Sequence, residues 1–539
     1  MENRFKNIIE RGFVKYSDFN SYGDGKHEDY NALYETHVFA NEHGLDVFAD
    51  EGAVYYIHTF KEPIPIKTNT DFSGARFILD DTGEDAFEYR SIPLFLVEKD
   101  NPGKVYAGDD LSANFNVSPI NEGDKSIPWL VGKLEAKSLI RLTNEGHRDF
   151  IRFGSNVNSG NPRTDCLLVN TDGTIDATTP VAFAFEDVTK IEIFRTDDAP
   201  ITVKGGYFET ICCRTVEQTG FENKWRGYHR KFKIIRSNTT VSDMTHRIVG
   251  EPDIPNTGYG RDEDGKLKQS YPYYGFVYYY NTYNSCAKNL ALNAHTTYYE
   301  DKTTSNKPVP MGSYDIVIEY SSHVFCENIT NGVDICNTRY WGIMSSNGAK
   351  NLEFKNCSMS RFDAHRGFWN ARLIGCEFGL TINAIGGGKL EIIDTVRTAG
   401  NYFIALRGDY GATFNGDIIL KNCSILGKKR YRGIPTNDTH SDEINLINSG
   451  FAYSNEKHPN WDFGYTCYMP RKIYVENLHT AYPDATFVFN SISDSSFNPE
   501  FSNQYRITEI IEFTSSTPLK ICKDDACVCL SKIPLKINT

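Results

Sequence analysis

Apolar and polar residues alternate in a series of short segments that recurs through the second half of the chain. Alternation of this kind is the pattern of a β-strand with one buried face. Several segments close on Asn followed by Cys or another small residue, and their ends step by 19 to 29 residues. Steps of that length predict the coils of a solenoid. The segments are 288–293, 323–328, 351–357, 371–376, 389–395, 417–423, 443–448 and 472–478.

A capping helix is predicted near the N-terminus. Residues 30–43 place Leu33, Val38 and Phe39 on one side of a helix, Gly44 follows as a stop signal, and residues 54–57 read as a strand. A helix over the open end of a solenoid shields strand edges that would otherwise pair with other chains.

The residues around the start of this helix carry a family motif. Asp18-Phe19, Gly23-Asp24-Gly25 and Asp29 come before the helix, and this arrangement resembles the opening of the pectate-lyase-superfamily proteins. Asn20-Ser21-Tyr22 departs from the small residues usual there. The resemblance covers only this opening stretch. It implies a right-handed parallel β-helix and a carbohydrate substrate, and it leaves activity open because the family includes lyases, hydrolases, epimerases and phage tailspikes.

Turn-forming clusters interrupt the coil rhythm between residues 85 and 185. The ladder is expected to resume with Lys190–Phe194, and Gly386-Gly387-Gly388 to form a tight turn between strands. The predicted fold class is all-β: a right-handed parallel β-helix with an N-terminal capping helix and an early β-rich insertion. The predicted parts are a cap with the first coil at 1–84, the insertion at 85–185, and the main β-helix with a C-terminal cap at 186–539.

The composition of the chain limits the kinds of molecule that it is expected to bind. The net charge of −13 argues against general nucleic-acid binding, which needs a basic surface. No run of 18 apolar residues occurs, so no membrane span is expected. The 13 cysteines and the lack of an apolar run of signal-peptide length favour free thiols and a cytoplasmic protein, or a secreted one if a signal peptide was removed.

The densest group of chemically active residues is Arg361 to Gly367. Asp363 and His365 lie two residues apart, so on a strand they point to the same side. Two coils on, at similar phase, come Arg407 and Asp409, and two coil steps amount to about 10 Å. Inverting glycosidases need carboxyl groups roughly 6.5–9.5 Å apart. We therefore predict Asp363 and Asp409 as an acid and base pair, unranked, with His365 tuning or orienting one of them. A surface cluster that merely caps strand ends is the alternative.

Residues on neighbouring coils are predicted to hold the sugar, because guanidinium groups bind paired hydroxyls or a carboxylate and aromatic rings stack on sugar faces. For each alone, ordinary packing is the competing interpretation. Asp462 is a reserve acid, in a segment that forms either a groove wall or a hydrophobic clamp. The predicted binding residues are Arg366, Arg407, His246, Arg247, His295, Trp341, Tyr410 and Asp462.

Three function classes remain open. A glycoside hydrolase is preferred. A polysaccharide lyase on a uronate-containing glycan is the alternative, using Arg366, Arg407, His365 and Tyr410. A non-catalytic glycan-binding or phage-tail-like protein is the third, and a homo-oligomer fits any of them. No phosphate-binding loop, His-Glu-x-x-His or Gly-x-Ser-x-Gly motif occurs. No cofactor or transition metal is expected, and acidic residues spread along the chain leave calcium open.

Overall fold

The structure of the chain is a computed structural model, and it describes most of the sequence. The description below concerns these residues alone. They are 2–58, 60–82, 92–153, 158–211, 231–250, 274–292, 298–299, 308–309, 314–331, 342–344, 347–399, 402–428, 430–431, 434–435, 443–448, 462–468, 470–481, 486–489, 512–521 and 535–537.

Parallel strand pairing stacks the chain into coils, and the predicted fold, a right-handed parallel β-helix, is confirmed. Three columns of strands run the length of the helix. The first column, here called the first face, comprises Phe13–Lys15, Asp46–Phe48, Thr70–Asp71, Ile201–Lys204, Thr239–Ser242, Tyr283–Leu292, Ser322–Thr330, Ala349–Lys355, Phe368–Ile374, Gly386–Ile393, Phe414–Lys428, Lys472–Thr480, Glu512–Ser515 and Leu535–Ile537.

The second face continues around the corner from the first, and several long strands bend from one to the other. Its own strands are Asp24–Glu28, Val54–Ile57, Arg76–Asp80, Tyr207–Ile211, Thr245–Val249, the first part of Ser358–Asp363 and of Glu377–Ala384, and Val396–Ala399.

The third face closes each coil. It comprises Ile64–Ile66, Phe95–Val97, Phe232–Ile234, Tyr274–Tyr280, Tyr314–Glu319, Gly342–Met344, the last residues of Ser358–Asp363 and Glu377–Ala384, Tyr402–Leu406, Glu443–Asn448, Thr486–Phe489 and Leu519–Ile521. Two short hairpins pair Tyr298–Tyr299 with Pro308–Val309 and Arg430–Tyr431 with Ile434–Pro435.

The recurring Asn of the sequence pattern sits at the corner between the first and second faces. These residues adopt the left-handed conformation, which Asn and Asp tolerate better than other side chains: φ is 54° at Asn289, 54° at Asn328 and 51° at Asn422. Their amides form ladders, with Asn328 Nδ2 donating to Asn289 Oδ1 at 3.0 Å and Asn477 Nδ2 donating to Asn422 Oδ1 at 3.1 Å. The recurring Asn of the sequence therefore marks a corner that is repeated from coil to coil.

The corner also corrects one rung of the predicted ladder. Asn422 and Asn477 are 55 residues apart, and Cys423 pairs with Leu478. Glu443–Asn448, which the spacing placed between them in the same column, lies on the third face instead and pairs with Tyr402–Leu406. Alternation alone marks a strand without saying which face of the coil it occupies.

The core runs inside the coils and is largely apolar. The small residues that follow the corner point inward as predicted: Cys357, Cys376 and Cys423 are buried and free, and each thiol contacts a carbonyl of a neighbouring coil.

At the N-terminal end the predicted helix is confirmed as Tyr30–His43, with Gly44 in the left-handed conformation as its cap. The helix Glu2–Arg11 and the 3₁₀ turn Tyr16–Phe19 precede it.

Asp29 explains the opening motif. Its carboxylate is completely buried and accepts hydrogen bonds from the backbone N–H of Tyr22 at 2.6 Å and of Gly23 at 3.3 Å. Gly25 has φ of 76°, and a Cβ there would lie 2.9 Å from Val54 Cγ1. The motif thus folds a glycine loop tightly around a buried acid at the start of the first coils.

The insertion is a separate β-layer with its own core. Its antiparallel sheet has the order Asn161–Val169, Ser138–Asp149, Lys190–Arg195, Lys104–Ala107. The helix Gly108–Asn114 and the 3₁₀ turn Pro128–Leu130 belong to it. The prediction that Lys190–Phe194 resumes the ladder is wrong, because this strand pairs antiparallel with Ser138–Thr143. The coils resume with Ile201–Lys204.

Gly386-Gly387-Gly388 also differs from its prediction. The three glycines begin the strand Gly386–Ile393 of the first face and do not form a turn. Among the described residues, no helix has both the length and the apolar character that crossing a membrane requires.

Candidate functional site

The insertion packs against the β-helix through buried polar contacts. Lys350 Nζ of the first face lies 2.7 Å from Asp165 Oδ1 of the insertion, and both side chains are only 3% exposed. Arg141 Nη1 donates to Tyr280 OH at 2.9 Å and to Asn281 Oδ1 at 3.0 Å, both on the β-helix. The insertion is therefore fixed over the coils.

Two cavities open along this junction, and we call them together the groove. The first has a volume of about 220 Å³ and the second about 400 Å³. Thr164 and Arg366 line both, so the cavities are neighbours at these residues. Arg366 also donates to Tyr320 OH at 2.6 Å.

The first cavity combines aromatic walls with polar groups, which is the usual character of a small-ligand site. Phe150 and Phe183 come from the insertion, and Trp369 comes from the first face. Phe150 is held with φ of 56° and its ring lies 4.7 Å from that of Tyr465. The side chains that line this cavity include Glu122, Phe150, Arg163, Phe183, Lys350, Arg366, Trp369, Asn415, Tyr465, Thr466 and Tyr468.

The second cavity is lined mainly by charged groups and tyrosines. Tyr278 OH donates to Glu319 Oε2 at 2.6 Å, and Lys233 Nζ lies 4.7 Å from the Tyr280 ring centre. Burial lowers the pKa of Lys233, although Glu319 opposes the shift. The charged side chains lining the cavity are Arg141, Glu145, Lys190, Glu192, Lys233, Glu319 and Arg366.

The segment 462–468 closes the end of the first cavity. Phe463 and Cys467 are buried against Phe153 of the insertion, and Tyr465 lines the cavity. Gly464 has φ of 85°, and a Cβ there would lie 1.9 Å from the carbonyl oxygen of Arg148. Both sequence interpretations of this segment therefore hold at once, because it clamps the insertion and walls the groove. Asp462 is exposed and its Oδ1 accepts from Gly464 N at 2.7 Å.

The predicted pair Asp363 and Asp409 is joined by Arg407. Arg407 Nη1 donates to Asp363 Oδ1 at 2.9 Å, and its Nε and Nη2 donate to the two oxygens of Asp409 at 2.9 and 2.8 Å. Phe362 pairs with Ile382 and Asn383 pairs with Ala405, so Asp409 lies four residues beyond Ala405 and outside the strict column. The two acids are brought together mainly by the Arg407 guanidinium, and not by equivalent positions on successive coils.

Asp363 is fully enclosed. Its side chain is 1% exposed, and it accepts from Arg407, from Asn383 Nδ2 at 2.9 Å and from Arg361 Nη1 at 3.4 Å. His365 Nε2 lies 3.2 Å from Oδ2. Burial alone would raise the pKa of Asp363, but the charges and hydrogen bonds of His365, Arg407 and Arg361 hold the pKa well below its ordinary value.

Asp409 is more open, with 23% of its side chain exposed. Arg152 of the insertion places Nε 2.7 Å from Oδ2, and Phe153 N donates to the Asp409 carbonyl at 2.9 Å. Burial raises the pKa of Asp409, and Arg407 and Arg152 outweigh it, so the net pKa is lowered. Both carboxyl groups are therefore held as carboxylates in this arrangement.

His365 completes what we call the Asp363 cluster, defined as Asp363, His365, Arg407 and Asp409. Its Nε2 also lies 3.3 Å from Tyr314 OH, and its side chain is 24% exposed. Burial lowers the pKa of His365; Asp363 opposes the shift, while Arg407 and Arg152 support it. Tyr410 covers the cluster, with the guanidinium carbons of Arg152 and Arg407 5.4 and 5.2 Å from its ring centre.

The cluster is linked to the groove through Tyr465 and Arg366, although none of its four residues lines either cavity. Tyr410 accepts, through its carbonyl, a hydrogen bond from the hydroxyl of Tyr465, which lines the first cavity. Arg366, next in the chain to His365, lines both cavities. The predicted residues Asp363, His365, Arg366, Arg407, Asp409 and Tyr410 therefore lie in one region of the molecule.

The remaining predicted residues lie elsewhere. His246 is buried inside the coils, where its ring stacks on Phe276 at 4.2 Å and contacts Thr210 Oγ1 at 2.9 Å. Burial lowers the pKa of His246 to about 3. Arg247 is exposed on the second face, beside Glu209. Neither lines the groove. His295 and Trp341 lie outside the described residues.

Several residues of the site have no local sequence pattern that indicates a function. Arg152 comes from the insertion, and 257 residues separate it from Asp409 in the chain. Trp369 lies on the first face between Lys350 and Gly387, and the glycine triplet was the available clue to it. Within the described residues, no group of three or more His, Cys, Asp or Glu side chains could hold a metal ion.

Comparison with known proteins finds similar structures only at low sequence identity. No family model matches the chain, and no curated protein does. Among solved structures, the tailspike protein gp49 from Pseudomonas phage LKA1 is 11% identical, with 97% of this chain and 84% of that chain covered and a TM-score of 0.47. The gp54 tailspike of Acinetobacter baumannii bacteriophage AP22, in complex with an A. baumannii capsular saccharide, is 9% identical over 98% and 80%, with a TM-score of 0.44. The endo-xylogalacturonan hydrolase from Aspergillus tubingensis is 10% identical over 89% and 96%, with a TM-score of 0.40.

Proposed function

We propose that the protein binds a glycan in the groove between the insertion and the β-helix and cleaves it beside the Asp363 cluster. The observation that carries the proposal is the position of the cluster. Two carboxylates, a histidine and an arginine fork meet beside Tyr410, and the Tyr410 carbonyl accepts a hydrogen bond from Tyr465, which lines the first cavity. One hydrogen bond thereby joins a wall of the first cavity to the turn that carries Asp409.

The walls of the groove suit a saccharide. Sugar rings have apolar C–H faces and polar edges, and the first cavity offers aromatic side chains together with Arg366, Asn415 and Glu122. The second cavity adds four cations and three carboxylates around tyrosine rings. An extended chain of sugars would follow the two cavities past Arg366.

As a glycoside hydrolase, our first choice, the protein would use Asp409 as the base. Asp409 retains exposed surface and is held ionised, so it could activate a water, whereas the buried Asp363 would fix Arg407 and His365. Hydrolysis also needs a protonated acid. Both cluster carboxyl groups have lowered pKa values. With Asp409 as the base, hydrolysis therefore requires the bound glycan to draw Arg407 away from Asp363, so that Asp363 can take up a proton and act as the acid.

A polysaccharide lyase is the second candidate, and the state of His365 favours it. A lyase neutralises a uronate carboxylate with cations and removes the neighbouring proton with a base. Burial keeps the pKa of His365 below its ordinary value, so the ring is a neutral base near pH 7. Arg361 and Arg407 pair with Asp363, and Arg152 and Arg407 pair with Asp409, so three positive charges meet two negative charges beside His365.

The test is a depolymerisation screen with neutral and uronate-rich glycans. New reducing ends without ultraviolet absorbance indicate hydrolysis, and both signals together indicate elimination. Asp409→Asn should abolish hydrolysis and His365→Gln should abolish elimination. The matched control is Asp172→Asn, in an exposed turn of the insertion where the carboxylate accepts hydrogen bonds from Thr174. Full activity in Asp363→Asn, Asp409→Asn and His365→Gln would refute the cluster as the site. Binding without either product would leave a non-catalytic glycan-binding protein.

A further inference from the structure

Trp369 lies flat across the glycines of the next coil. It stands on the first face, paired in register with Lys350 on one side and Gly387 on the other. A Cβ at Gly387 would lie 2.6 Å from Trp369 Cζ3, and one at Gly388 would lie 2.8 Å from its Nε1. The two ends of the indole therefore rest on two consecutive glycines, and a side chain at either position would displace the ring.

The glycines have a second reason to be there. A Cβ at Gly387 would also lie 2.6 Å from the carbonyl oxygen of Asn415, and one at Gly416 would lie 1.8 Å from the carbonyl oxygen of Gly388. The strands approach closely at this point, and glycine in a strand interior often marks such an approach. The outcome is a shallow, side-chain-free strip beneath the indole, on which the ring is held in one orientation.

The indole also lines the first cavity. It is partly exposed, unlike the buried Trp129 of the insertion core. We infer that Trp369 is an aromatic platform on which one hexopyranose ring of the glycan stacks, with Asn415 and Arg366 around the edge of the ring. This inference rests on the proposed function and names one sugar-binding position within it.

The chemistry of an aromatic face selects this class of ligand. The ring face is negative and attracts the weakly positive C–H groups on the apolar side of a pyranose. The cavity is smaller than the roughly 300–1,000 Å³ of sites for drug-sized ligands, at about 220 Å³. It therefore suits a short piece of the glycan, and Gly387 and Gly388 hold the indole in one orientation against it.

The experiment compares Trp369→Ala, Trp369→Phe and the control Trp129→Phe in the full chain. The probes are methyl glycosides of glucose, galactose, mannose, N-acetylglucosamine and glucuronic acid, followed by saturation-transfer difference NMR. In the wild type, saturation should concentrate on the C–H protons of one sugar face. Trp369→Ala should weaken binding of the best probe about tenfold, the size expected for one aromatic contact, and Trp369→Phe should restore most of it. Trp129→Phe should bind as the wild type does.

Two outcomes overturn the inference in distinguishable ways. If the wild type binds a probe and Trp369→Ala binds it equally well, the platform is refuted and the proposed glycan site stands. If the folded wild type binds none of the probes or the polymeric glycans, the proposed function fails and the platform fails with it. Circular dichroism of each variant establishes that a loss of binding is not a loss of fold.

Discussion

Arg407 holds Asp363 and Asp409 at the same time, with Nη1 2.9 Å from Asp363 Oδ1 and Nη2 2.8 Å from Asp409 Oδ2. One guanidinium thus links the strand Ser358–Asp363 to the 3₁₀ turn Gly408–Tyr410. Asp409 in turn contacts Arg152 of the insertion. The same three residues therefore connect the coils, the turn and the insertion.

Removing the fork should destabilise the fold strongly. Arg407→Ala leaves Asp363 buried without its closest cation, and breaking a buried ion pair in this way costs about 3–5 kcal/mol in free energy of unfolding. Urea unfolding at pH 7 measures it. Arg372→Ala is the matched control, since Arg372 is 48% exposed and bonds Glu353 on the surface; it should cost about 0–1 kcal/mol. Equal losses in the two variants would contradict the role given to Arg407.

Asp363 should make the free energy of unfolding decrease at acidic pH. Its pKa is held below the ordinary carboxyl value in the folded chain. A group with a lowered folded pKa contributes stability above its unfolded pKa, about 3.9, and loses that contribution as pH falls toward the folded pKa. The urea midpoint of the wild type should therefore drop between about pH 5 and pH 2, and Asp363→Asn should show a shallower drop. An unchanged slope in the variant would place the acid-sensitive group elsewhere.

The sequence predicted the architecture because its signals are local. Tyr30–His43 has a helical stripe and a glycine stop, and each corner repeats an Asn that tolerates positive φ. The same locality explains the errors. Alternation looks alike in the parallel strand Ile201–Lys204 and the antiparallel strand Lys190–Arg195, and it does not tell the first face from the third at Glu443–Asn448.

The sequence predicts only those residues of the site that lie close together in the chain. Asp363, His365, Arg407 and Asp409 stood out because their polar groups are dense in short segments. Arg152 reaches Asp409 from the insertion, and the wall formed by Tyr465 comes from a later segment, so their contribution depends on long-range packing. Trp369 could be predicted only by recognising that the glycines on the next coil leave room for its ring.

His365 should set the acid limb of an elimination reaction. Burial lowers the pKa of His365 below 6.5, and the neutral ring is the form that can accept a proton. The kcat/KM of the lyase reaction should rise with pH through that lowered pKa and be flat above pH 6.5. Asp363→Asn removes a charge that raises the pKa of His365, so its limb should move to lower pH. A limb above pH 6.5 would exclude His365 as the base.

Lys350 should fasten the insertion to the first face. Lys350→Met leaves the buried Asp165 without its cation, although Cys166 N and Ala182 N still donate to it at 2.8 Å. Because the insertion has its own core, we expect local loosening without unfolding. Amide hydrogen exchange in Asn161–Val169 should accelerate. Lys355→Met, which removes a half-exposed lysine paired with Glu327, should leave it unchanged. Protection retained in both variants would show that apolar packing alone holds the layer.

The asparagine ladder separates two contributions that one substitution would mix. Asn328 is exposed, adopts φ of 54° and donates to Asn289 Oδ1 at 3.0 Å. Asn328→Ala loses the hydrogen bond and places a Cβ-bearing residue without a polar side chain in the left-handed region, so it should cost about 1–2 kcal/mol in free energy of unfolding. Asn328→Gly loses the same bond but accepts that φ freely, so it should cost less than Ala, reversing the usual order in a strand. The difference measures backbone strain at one corner. If Gly destabilises as much as Ala, the side-chain ladder, and not the left-handed backbone, is what the repeated Asn supplies.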